Sequence, residues 1–95
     1  MPYTITPHTF ERAREVGLEV RPSTRKGKKL DVFVGSLDPR FTGQYVDSVG
    51  ALGYSDYGTY LAAEGAAVAD ERRRLYRIRH RGKTLGELLA LWLLW

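Results

Sequence analysis

Cysteine is absent from the 95 residues, so the chain has no disulfide framework, no thiolate metal site and no cysteine nucleophile. Its stability must come from packing. The longest apolar stretch, Leu88 to Trp95, is far shorter than the roughly 20 residues that cross a bilayer, which excludes a transmembrane segment there. The first residues, Met1 to His8, lack the basic stretch and apolar run of a secretory signal, and the expected location is intracellular. No paired-carboxylate, Ser-His-Asp or phosphate-loop spacing occurs, since the glycines at 50–53 and 82–86 do not match a P-loop or dinucleotide fingerprint. His80 stands isolated among arginines, where its cationic form is disfavoured, and His8 falls in a helix-capping region. The expectation is a protein that is not an enzyme, with no catalytic residue, metal, cofactor or small-molecule substrate. The length allows one domain, 1–95, and is too short for two.

Acid is missing from two segments, and this matters more than the net charge of +4. Arg21 to Lys29 holds Arg21, Arg25, Lys26, Lys28 and Lys29, and Arg72 to Lys83 holds seven further bases. The other three bases, Arg12, Arg14 and Arg40, stand among all 11 acids. Two basic faces on an acidic body point to polyanion contact, because focused positive potential attracts phosphate more than diffuse charge does. A solvated face that only confers solubility is the competing reading.

Local signals give an order of elements. Thr6-Pro7 opens a helix over 7–16, with Gly17 as its stop. Short alternating runs at 18–20 and 28–34 read as a hairpin whose tip carries the first basic cluster, and Gln44 to Val49 reads as a third strand. Asp56 can cap a helix over 57–64, Ala66 to Arg81 forms the long helix, and Thr84-Leu85-Gly86-Glu87 fits a capping box opening a helix over 85–95. The predicted class is α+β, a small three-stranded antiparallel sheet (18–49) covered by helices in the order αβββααα.

Within the long helix, Val68, Leu75 and Ile78 share one side and are expected to pack on the sheet. Arg73, Arg74, Arg77, His80 and Arg81 fall within about 120° of one another on the opposite side, a basic ridge able to reach phosphates. Arg25, Lys26, Lys28 and Lys29 form the second candidate contact. Arg72 and Arg79 sit beside the apolar stripe and read as half-buried arginines paired with acids such as Asp56 or Glu71. The tyrosines from Tyr54 to Tyr60 read as a core corner before they read as base-stacking groups. Residues 85–95 are apolar on all sides, so Leu88, Leu91, Trp92 and Trp95 are the expected interface with another protein or a second copy.

Several segments resemble a family of small basic proteins encoded by large double-stranded DNA viruses and some phages. They are Tyr3-Thr4-Ile5, Pro22-Ser23, Lys26-Gly27-Lys28-Lys29-Leu30-Asp31-Val32-Phe33, Ser48-Val49-Gly50, Asp56-Tyr57, Thr59-Tyr60, 69–80 and Leu94-Trp95. Two positions depart: Gly58 stands where the family has proline, and leucines replace a polar, tyrosine-containing stretch before the final Leu-Trp. The resemblance implies a viral setting and nothing about chemistry. The expected protein is a minor structural component of a virion, located in the particle or the infected host's interior. It would dock to other virion proteins or itself and use its basic faces on DNA or an acidic neighbour. A stand-alone, non-specific nucleic-acid-binding protein is the alternative.

Overall fold

The computed structural model describes residues 3–95 and has the α+β order αβββααα that the sequence pattern predicts. Helix α1 (Pro7–Glu15) starts where Thr6, in extended conformation, accepts the Thr9 N–H, with Pro7 in the first turn. Strands β1 (Leu18–Pro22), β2 (Lys28–Val34) and β3 (Tyr45–Ala51) form an antiparallel sheet in that order. Its register pairs Val20 with Val32 and Leu30 with Val49, which brings these four side chains to one face. Arg21, Asp31 and Ser48 line up across the other. A one-turn 3-10 helix, Pro39–Phe41, interrupts the loop before β3.

The remaining helices are α2 (Tyr57–Glu64), α3 (Ala66–Arg79) and α4 (Leu85–Leu93). Asp56 and Thr59 cap α2 reciprocally, side chain to backbone in both directions. The corresponding box at α4 is only half made: Thr84 accepts the Glu87 N–H, while the Glu87 carboxylate turns back to the Gly82 N–H at 3.3 Å. Helices α3 and α4 stop two residues short of the sequence expectation. His80 ends α3 in extended conformation and Arg81 lies beyond it.

Helix α1 packs on β1 and α4 on β3, and the two helices also meet each other. Together they cover the apolar sheet face, and Leu30, Val32, Val49, Leu93, Leu94 and Trp95 form the core. Helices α2 and α3 pair with one another, so the expectation that Val68, Leu75 and Ile78 pack on the sheet is corrected. Ile78 is 53% exposed, and the fully buried residue of α3 is Ala69, a small side chain that lets the two helices approach. Tyr76 joins α3 to the core by stacking on Trp95 at 4.3 Å. Gly58 sits where α1 and α2 begin side by side, and a Cβ there would lie 2.1 Å from the Thr6 hydroxyl oxygen. Any side chain here, proline included, would collide with Thr6.

A buried ion pair ties the sheet to α2. Lys29 Nζ lies 3.0 Å from Asp56, with 4% and 1% of the two side chains exposed. Tyr3 and Thr59 hydroxyls also donate to the Asp56 carboxylate. No helix among the described residues is long and apolar enough to cross a membrane.

Candidate nucleic-acid interface

The outer side of α3 carries Arg73, Arg74 and Arg77, joined by Arg81 just past its end, around a shallow hollow of about 370 Å³, with Asp70 and Ile78 completing its wall. Two arginines are partly neutralised along the helix: Arg73 pairs with Asp70 at 3.2 Å and Arg74 with Glu71 at 2.6 Å, both across one turn. Among the described residues no ion pair engages Arg77 or Arg81. Burial, and then the charges of Arg73 and Arg12, push the Arg77 guanidinium below its ordinary pKa. The His8 imidazole is lowered in the same way, by burial and then by Arg12 and Arg73, and is neutral at pH 7.

Arg12 therefore belongs to the ridge, although it comes from α1. Its guanidinium lies 4.2 Å above the Trp92 ring, and the Trp92 indole N–H donates to the Arg12 carbonyl at 2.9 Å. Arg73 lies 4.3 Å above Tyr57, whose hydroxyl donates to Asp70. An arginine laid on a ring keeps its charge while losing freedom, so these two are oriented before any anion arrives. Nothing in the local sequence around Arg12 announces this role. It follows from α1 meeting both α2 and α4, a packing that periodicity in α1 alone does not specify.

His80 is both packed and presented: its ring stacks on Tyr76 at 4.1 Å and its Nδ1 lies 3.8 Å from Glu87, yet its side chain is 43% exposed and borders a surface hollow with Arg77 and Arg81. Arg72 and Arg79 are exposed and take no acid among the described residues, since Glu71 pairs with Arg74 and Asp56 with Lys29. The structural role expected for them is thus replaced by a free one.

The hairpin connection splits the second basic cluster. Arg25, Lys26 and Lys28 are exposed at the tip, where Gly27 takes a φ of 79°. Asp31 anchors the turn by accepting the Ser23 hydroxyl at 2.6 Å and the Thr24 N–H at 3.1 Å. Lys29 is not part of this surface; it is 3% exposed, and its ammonium is committed to Asp56. A run of four bases reads as one loop, but β2 has begun by Lys28 and carries Lys29 inward. We expect Lys26→Ala with Lys28→Ala to change the unfolding free energy by no more than about 0.5 kcal/mol in urea titration, as for other surface substitutions. A larger loss would show that the tip lysines hold the hairpin.

The expected protein interface is likewise divided. Leu88 is 53% exposed and Leu85 56%, whereas Leu91 and Trp92 are half-buried and Trp95 is 8% exposed inside the core. Trp95 is thus removed from the docking surface. Comparison with protein-family models, curated proteins and solved structures found no match.

Proposed function

We propose that this chain is a non-enzymatic nucleic-acid-binding protein that grips the phosphate backbone through Arg12, Arg73, Arg77 and Arg81. One observation carries the reading: two helices converge their guanidiniums on one side, with Arg77 and Arg81 left without a carboxylate. Like charges held together oppose folding, and an arriving polyanion relieves that repulsion while releasing its own counterions. Arg25, Lys26 and Lys28 add a second contact on the exposed hairpin tip. The viral setting, and with it a place in or near a virion, rests on the resemblance in segments such as 69–80.

Docking to another virion protein or to a second copy is a second reading, favoured by Leu85 and Leu88, which remain more than half exposed on adjacent turns of α4.

Duplex DNA binding, followed by anisotropy across a salt series, tests the first reading. Replacing Arg73, Arg77 and Arg81 by glutamine is expected to weaken binding equally for unrelated sequences. It should also flatten the log-log salt slope by about 0.9 for each arginine that met a phosphate. Unchanged affinity and slope in a variant with normal far-UV dichroism would reduce the ridge to a solvated face.

A further inference from the structure

The side of α3 opposite the ridge faces a second recess. There the end of β3, the loop after it, α3 and the chain's last residues enclose about 450 Å³, within the size range of small-ligand sites. Leu94 and Trp95 floor it, and Tyr54, Tyr60 and Tyr76 stand around it. Arg72 and Arg79, two turns apart on α3, supply its free positive charge, and none of its lining side chains is acidic. Lys29 reaches it too, but with its charge already matched by Asp56.

Tyr54 is the informative residue. It is 75% exposed, and among the described residues its ring and hydroxyl make no aromatic contact and no hydrogen bond. Tyr60 already carries the Arg72 guanidinium 5.4 Å above its ring, and Tyr76 lies between His80 and Trp95 in a column of stacked rings. An aromatic recess with an unoccupied ring at its mouth, and cations spaced along one wall, has the two features of a single-strand platform. Rings stack on any base, and arginines follow the backbone. Bases inside a duplex are covered by their neighbours and cannot enter.

We propose that this recess takes an unpaired nucleobase against Tyr54, with the flanking phosphates on Arg72 and Arg79. The protein then prefers single-stranded to duplex nucleic acid. This rests on the phosphate-binding reading above and extends it from backbone to base.

The test compares three probes of equal length on the full chain: oligothymidylate, an abasic strand with the same phosphates but no bases, and a duplex. Wild type is expected to hold oligothymidylate about tenfold more tightly than the abasic strand for each stacked base. Tyr54→Ala should remove most of that ratio while leaving the abasic affinity unchanged. Arg72→Gln with Arg79→Gln should lower oligothymidylate affinity more than duplex affinity. The substitutions at Arg73, Arg77 and Arg81 should lower all three and preserve the ratio.

Equal wild-type affinity for the thymidylate and abasic strands overturns the base site, and so does a ratio that survives Tyr54→Ala. In both cases salt-dependent binding of the abasic strand still upholds the ridge. Polyglutamate binding as tightly as oligothymidylate also overturns the proposal, since carboxylates without bases would then suffice. Failure to bind any strand overturns both readings together.

Discussion

Asp56→Ala is expected to lower the unfolding free energy by about 3–5 kcal/mol, the loss typical of breaking a buried ion pair from one side. The substitution strands the Lys29 ammonium, which is 4% exposed and has no other carboxylate within reach among the described residues. It also removes the N-cap of α2 and the acceptor for the Tyr3 hydroxyl. A chain of this size has about 5–15 kcal/mol in total, so a large share of its stability depends on one carboxylate. Urea titration measures the loss directly. Lys29→Met should cost a similar amount, whereas Lys29→Met combined with Asp56→Asn should recover part of it, because neither partner then keeps an uncompensated charge and the cap survives.

The same pair sets the response to acid. Burial alone would raise the Asp56 carboxyl, but the hydroxyls of Thr59 and Tyr3, the Lys29 charge and the Thr59 N–H together outweigh it and hold the group below the ordinary carboxylate range. A depressed folded value means that the stabilisation is complete above the unfolded value, near pH 4, and is lost as pH falls through the folded one. Asp31 adds to the same window, its burial outweighed by the hydroxyls of Ser23 and Ser48 and by Thr24. Removing Lys29 raises the Asp56 value, so Lys29→Met should move the onset of acid unfolding to higher pH. An unmoved onset would show that hydrogen bonds alone fix this carboxylate.

The elements of the fold could be read from local chemistry. Thr6-Pro7, Asp56 and Thr84 mark their helices because a capping side chain and the N–H it accepts are only three residues apart. Alternation in 28–34 likewise marks β2. What could not be read was where long-range partners meet. Lys29 looks like its neighbours Lys26 and Lys28 until Asp56, 27 positions later, is folded against it. Arg12 looks like any exposed arginine on an ordinary helix, and only the meeting of α1 with α2 and α4 brings it to Arg73 and Arg77. Of the ridge itself, Arg73, Arg74 and Arg77 keep their expected side, because helical spacing is local, and Arg81 borders the same hollow from beyond the helix end. His80, just past the helix end, turns its ring onto Tyr76 while still bordering a surface hollow with Arg77 and Arg81, a position that helical spacing does not specify. The recess beside Tyr54 was out of reach for the same reason as Arg12: its walls come from β3, α3 and the final residues, which no single periodicity joins.

Trp95→Ala is expected to lower the unfolding free energy by about 3–5 kcal/mol, as for other buried aromatic truncations, rather than to release a surface. An apolar helix of this length reads as too much for so small a sheet to cover, yet the sheet is only one of its neighbours. Helix α1 takes another side, with the Thr9 hydroxyl donating to the Leu93 carbonyl at 2.8 Å. Tyr76 and Tyr60 from the α2–α3 pair close over Trp95 itself, at 4.3 and 6.2 Å between ring centres. The exposed remainder is Leu85 and Leu88, and it separates folding from association. Leu88→Ser should leave the urea midpoint nearly unchanged, within about 0.5 kcal/mol. If α4 docks to a second copy, that same variant lowers the mass seen by light scattering at high concentration. A mass already monomeric in wild type leaves Leu85 and Leu88 as scattered surface residues or as the seat of a different protein. A Trp95→Ala variant as stable as wild type, by contrast, would mean that the last turn of the chain is not packed on Tyr76 in solution, and the floor of the aromatic recess would go with it.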